Sequence, residues 1–110
     1  MSNVKPIEVT DLNFDSEALG SPLPVLIDFT AAWCSPCRAI AAHVDAMAAV
    51  YDGRVRVATC DVEANPALVA KLDVRSVPTL LMFKQGRVVG QIVGAVPRAK
   101  IEALVARALG

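Results

Sequence analysis

The sequence predicts an α/β fold, a mixed central β-sheet with helices on both faces, and three observations predict it. Short runs rich in Val, Ile, Leu and Phe alternate with segments whose apolar residues recur every three or four positions. The last two runs are separated by a two-residue turn, the mark of a closing hairpin. The chain has 110 residues, 55% of them hydrophobic, which suits one domain with a real core. Strands joined through helices are expected to run parallel, and the hairpin adds antiparallel strands. The expected domain is single and spans residues 1–110.

In chain order, Ile7 to Ala18 reads as a weak strand and a short helix, with Thr10 or Asp11 as its candidate cap. The run "PVLIDFT", 24–30, reads as a strand buried on both faces, with one acid, Asp28, in its middle. From Ser35 to Val50, Ile40, Val44 and Met47 fall three or four apart among alanines, which predicts a helix ended by Asp52-Gly53. Pro36 sits in its first turn, where a missing N–H does no harm. A second strand follows in "RVRVATCDV", 54–62, and then "NPALVAKL", a helix with Asn65 at its N-cap and Pro66 at its first position. The run "TLLMFK", 79–84, turns through Gln85-Gly86 into "RVVGQIV", 87–93, as a hairpin. The last segment, 97–109, puts Ile101, Leu104, Val105 and Ala108 on one helical face, and its Val96-Pro97 start offers no side-chain cap.

Composition excludes several function classes. Eleven basic and eleven acidic residues cancel, so neither nucleic acid nor an anionic membrane surface is an expected partner, and apolar contact is the expected way to hold one. No apolar stretch reaches the ~18 residues of a membrane span. Met1 to Asp15 carries Lys5, Glu8, Asp11 and Asp15 and no apolar run of the kind a signal peptide needs, so the expected location is cytoplasmic. Three cysteines are too few and too uneven for a disulfide framework, and in a reducing compartment a close pair is catalytic or metal-binding.

That pair lies in "WCSPC", 33–37, between a strand and the start of a helix. The first N–H groups of a helix are unpaired, and with the helix dipole they favour a thiolate at Cys34. Such settings lower a thiol pKa below its usual ~8.5 and make it a nucleophile for disulfide exchange. Cys37 lies one turn further on, close enough to resolve a mixed disulfide on Cys34, and is expected to be the less exposed of the two. A structural zinc wants about four ligands, and only Cys60 and His43 are left to join. His43 points away from the helix start and Cys60 is mid-strand, so no metal is expected. Asp28, inside an apolar strand, is expected to have a raised pKa and to exchange protons near neutral pH. Cys60 reads as buried and inert.

These residues carry a resemblance. "VLIDFTAAWCSPCR" and "SVPTLLMFKQGRVVGQIVGA" resemble the thioredoxin family, and the likeness covers about residues 7 to 109. It implies the thioredoxin fold and a small dithiol–disulfide oxidoreductase with no bound cofactor. Its electrons come from NADPH through a flavoprotein thioredoxin reductase, and its other partners are disulfide-containing client proteins; a monomer is expected. The resemblance places Asp28 beneath Cys37, makes the Val77–Pro78 bond cis, and gathers Trp33, Ser35, Pro36, Val77, Pro78, Gly94 and Ala95 as a contact surface around Cys34. Three departures stand out: Thr59 where a lysine is common near the buried acid, Ala42 where a proline kinks the long helix, and Ser35 where glycine is usual. Two alternatives stay open: a more oxidising thioredoxin-like enzyme for a dedicated partner, or a thioredoxin-fold binding or chaperone subunit whose cysteines are incidental.

Overall fold

The sheet is mixed, with strand order β1-β3-β2-β4-β5. In the computed structural model, which describes residues 4–110, the strands are β1 (Ile7–Glu8), β2 (Val25–Thr30), β3 (Arg56–Asp61), β4 (Thr79–Lys84) and β5 (Arg87–Val93). Residues 1–3, part of the expected domain and of the segment read as leaderless, lie outside the described residues. A π-helical turn spans Asp15–Leu19, and three α-helices follow: α1 (Ser35–Val50), α2 (Pro66–Lys71) and α3 (Arg98–Leu109).

Alternation along the strands divides the core into two layers. Leu26, Leu80 and Met82 project to one face and pack with Ile40, Val44 and Met47 of α1 and Ile101, Leu104 and Val105 of α3. Val25, Ile27, Phe29, Leu81 and Phe83 project to the other and pack with Phe14, Ala18 and Leu68. Asp28 pairs in register with Leu80 on β4 and Thr59 on β3, so it shares the face covered by α1.

The register corrects one expectation. β1, β3 and β2 are mutually parallel, as β2–α1–β3 requires. β4 follows β3 through a helix as well, yet it lies against β2 and runs antiparallel to it. The short α2 carries the chain past β2 to its far side rather than back for a parallel crossover. The β4–β5 hairpin is as expected: Gln85 and Gly86 have φ of 53° and 77°, the two positive values a tight two-residue turn requires.

Capping corrects a second. Asn65 holds the N-cap position of α2, but its side chain makes no cap bond there. It accepts from the Asp11 N–H at 2.9 Å and donates to the Asp61 carbonyl at 2.9 Å. Asp11 caps α2 instead, its carboxylate accepting from the N–H groups of Leu68 (2.8 Å) and Ala67 (3.4 Å). Thr10 Oγ1 accepts from Leu12 and Asn13 within its own turn, so neither candidate caps the Asp15–Leu19 turn. α1 runs unbroken from Ser35 to Val50, with Ala42 exposed, and α3 begins at Pro97 without a side-chain cap.

Replacing Asp11 with alanine should therefore destabilise the protein by about 1 kcal/mol, the usual worth of an N-cap, although Asp11 lies outside the helix. Urea denaturation with an unchanged m-value reads this; a loss indistinguishable from zero would mean that water caps α2 equally well.

Candidate redox site

The chain leaves β2 at Thr30, and the buried Ala31 accepts the Cys34 N–H at 3.1 Å. That turn delivers Cys34 to the N-cap of α1 with extended backbone (φ −87°, ψ 107°). Its sulfur takes the part usually played by a Ser or Asp oxygen: the Cys37 N–H donates to Cys34 Sγ at 3.1 Å. Arg38 Nη1 donates to the Ala32 carbonyl at 3.0 Å and braces the turn from the helix side. Cys34 and Cys37 are joined as a disulfide, with Cα atoms 5.3 Å apart.

The expected difference in exposure is absent in this oxidised state: Cys34 is 2% and Cys37 3% exposed. Each sulfur covers the other, and Val62 and Val77 pack against the pair. What separates them is position, since Cys34 precedes the helix and Cys37 lies inside its first turn. Ser35 and Pro36, between them, are exposed.

The loop before β4 forms the opposite wall. The Val77–Pro78 bond is cis. Thr79 Oγ1 donates to the Ser76 carbonyl at 2.7 Å, and the Gly94 N–H donates to the Pro78 carbonyl at 2.9 Å. Gly94, at φ 96°, is thus tied to the loop, and the exposed Ala95 follows it; neither is among the side chains packed on the disulfide. The N–H and C=O of Val77 make no hydrogen bond among the described residues. Trp33, 66% exposed, joins Val77 along a groove of about 230 Å³ whose other walls are Val62, Val69, Val74, Arg75 and Ser76. Sequence reading missed Val62, Val69 and Val74. Val62 carries a usable signal, because it directly follows a strand whose carboxyl end lies beside that of β2.

Asp28 is 3% exposed, and its Oδ1 has no hydrogen-bond partner among the described residues. Its pKa is raised from 3.8 to about 7, first by burial and then by the like charge of Asp45 on α1. Opposite it on β3 stands Thr59, so this neighbour supplies no positive charge. Cys60 is fully buried on the other face of the sheet, and burial, with Asp11, Asp61 and Glu8, pushes its thiol up to about 11. His43 is half-buried on α1, and no three His, Cys, Asp or Glu side chains come together as metal ligands among the described residues.

Comparison with known proteins agrees with this geometry. The thioredoxin family model matches residues 5–107. Among curated relatives, the thioredoxin of Porphyra purpurea is 42% identical over 95 residues, 86% of this chain and 89% of its own. Thioredoxin 1 of Nostoc sp. is 44% identical over 94 residues, covering 86% and 88%. Thioredoxin C-2 of Corynebacterium nephridii is 42% identical over 99 residues, covering 90% and 92%.

The state of Asp28 sets a pH dependence. Between pH ~4 and ~7 the folded protein holds a proton on Asp28 that the unfolded chain has released, so stability falls as pH rises through that window. Asp28→Asn removes the titration. Relative to the original oxidised protein, the variant should gain stability from pH ~4 to ~7, by a total on the order of 4 kcal/mol. Urea midpoints across this range read the difference, and a constant gap would show that Asp28 ionises normally.

Proposed function

The chain belongs to the thioredoxin family and is a thiol–disulfide oxidoreductase, and from that premise we propose how its residues divide the work. The observation that carries the proposal is the sulfur at the helix start: a group that accepts the Cys37 N–H as a disulfide keeps that donor as a thiolate. Cys34 is the nucleophile. Its thiolate attacks one sulfur of a client disulfide, a mixed disulfide forms, and the other client sulfur leaves as a thiolate that takes a proton. Cys37, deprotonated, then attacks Cys34 Sγ. The second client thiolate departs, and Cys34 and Cys37 are left as the disulfide, two electrons poorer. The dithiol itself is the electron carrier, so no bound cofactor is needed.

Asp28 is the proton-transfer group for Cys37. Its support is a pKa held at about 7 by burial beneath α1, where it both gives and takes a proton at neutral pH. Trp33, Ser35, Pro36, Val77, Pro78, Gly94 and Ala95 form the client contact surface. An extended client strand pairs with the open backbone groups of Val77 and lays an apolar side chain in the groove beside Trp33. Disulfide-containing proteins are the substrates, and a reductase regenerates the dithiol, which we assign to an NADPH-dependent flavoprotein thioredoxin reductase. We place the protein in the cytoplasm as a monomer of one domain, residues 1–110. Its support is a close Cys pair with a third cysteine left unpaired, which suits a reducing compartment, and a family match over 5–107. The binding-subunit alternative is not favoured, because the dithiol and its helix-start setting are intact.

NADPH-coupled insulin reduction with a thioredoxin reductase tests the assignment. Cys34→Ser should abolish turnover, and Cys37→Ser should accumulate a client mixed disulfide on a non-reducing gel. Trapping by the Cys34 variant instead would reverse the two roles. Ser35 tunes the balance, since less backbone freedom than glycine and a hydroxyl that can donate to a thiolate both favour the reduced form. Ser35→Gly should lower the potential by about 20 mV, the two-electron equivalent of one net hydrogen bond. A glutathione titration reads it, and a potential that rises or stays put would overturn the role of Ser35.

A further inference from the structure

The zero net charge conceals an uneven distribution. Residues 84–110 hold five cations, Lys84, Arg87, Arg98, Lys100 and Arg107, and one acid, Glu102. Arg98 uses that acid in an ion pair at 2.8 Å. Lys84, Arg87 and Arg107 have no ion-pair partner among the described residues. The fold then brings these three together. Lys84 ends β4 and pairs in register with Arg87, which opens β5, and Arg107 lies in the last turn of α3. Lys84 and Arg107 line one cavity of about 280 Å³ whose remaining walls are Val89, Leu104 and Ala108.

A second observation points to an occupant. β5 is an edge strand, so its outer backbone groups have no neighbouring strand. Proteins commonly blunt such edges by placing charges or prolines along them. After Arg87, β5 reads "VVGQIV", six uncharged residues without proline, and Val88, Val89 and Val93 are about half exposed. The charges stand at one end of this edge and leave its length open. β4 and α3 both run away from the redox end, so the cluster lies at the opposite end of the molecule from Cys34.

We propose that the β5–α3 edge is a docking surface for an acidic protein segment. The segment adds to β5 as a strand, sets carboxylates against Lys84, Arg87 and Arg107, and places an apolar side chain in the cavity between Val89 and Leu104. Charge complementarity favours this occupant. A second copy of the chain would bring more cations to the same edge. Nucleic acid would find no aromatic side chain to stack on among the residues of this cluster, and a membrane surface would present no side chain to enter the cavity. A partner held there leaves Cys34 free, so the protein can exchange disulfides while docked.

The test uses the full-length oxidised protein, isotope-labelled, and a capped peptide Glu-Val-Glu-Leu-Glu-Val-Glu, with a second peptide carrying Gln in place of every Glu. The acidic peptide should shift amide signals over residues 84–93 and in the last turns of α3, saturably. Raising the salt from about 0.05 M to about 0.5 M should weaken binding about tenfold, and so should Arg87→Glu with Arg107→Glu. Both positions are exposed, and insulin reduction by that variant should be unchanged, which separates this proposal from the redox assignment. Equal binding of the Gln peptide, or shifts confined to the surroundings of Trp33 and Val77, would overturn it. So would tighter binding at these residues by a DNA duplex or by phosphatidylserine vesicles, or a dimer in sedimentation.

Discussion

The start of α1 is the constraint on which the rest of the site depends. A helix beginning at Ser35 leaves backbone N–H groups that need an acceptor, and the residue placed to accept is Cys34. A sulfur that serves as a cap is held in place by the helix it caps. It also sits where the unpaired N–H groups and the aligned peptide dipoles of a 16-residue helix favour negative charge. The oxidised sulfur accepts the Cys37 N–H, and the thiolate proposed for Cys34 would face the same donor. Pro36 suits the first turn because it brings no further N–H to satisfy.

Asp28 shows what the site costs the fold. A carboxyl closed into a face otherwise built from Leu, Val, Ile and Met, with one oxygen unpartnered, opposes stability whenever it is ionised. Desolvation dominates its raised pKa, and Asp45 adds to it in the same direction. With Thr59 across the strand pair there is no cation to offset either effect. A residue that works against the core, under the helix that holds both cysteines, is the pattern expected where function rather than packing has set the side chain. Cys60 makes the contrast. It is as deeply buried and also shifted away from ionisation, but it stays neutral on the far face and packs as a small apolar group.

What sequence reading caught was local, and what it missed was not. The bounds of α1, the buried β2, the Gln85-Gly86 turn and the apolar face of α3 follow from periodicity, caps and turn chemistry within a few residues. The cap of α2 escaped because Asp11 lies 57 residues before the N–H of Leu68 and declares itself only once β1 is seated on β3. The direction of β4 escaped for a similar reason, since a helix between two strands restricts their order without deciding which neighbour the second strand will choose. The near-equal burial of Cys34 and Cys37 escaped because in the oxidised state each covers the other, together with Val62 and Val77 from two other loops. The wall of Val62, Val69 and Val74 was invisible for the same cause: three valines from three segments become one surface only in the fold.

Charge and apolar contact are thereby divided between the two ends of the molecule. The groove beside Cys34 is walled by Trp33 and four valines, and its one cation, Arg75, is already held by Asp73 at 2.9 Å. Apolar surface of this kind discriminates weakly between partners, which fits the contact surface proposed for disulfide-containing proteins. At the other end, Lys84 and Arg107, without ion-pair partners among the described residues, line a cavity beside an open strand edge, and Arg87 pairs in register with Lys84. Charge placed that way gives orientation and selectivity rather than tolerance. A net charge of zero, read as a sum, hides this division. It becomes physical only when the hairpin and α3 bring Lys84, Arg87 and Arg107 to one end of the molecule, and the helix start with Cys34 lies at the other.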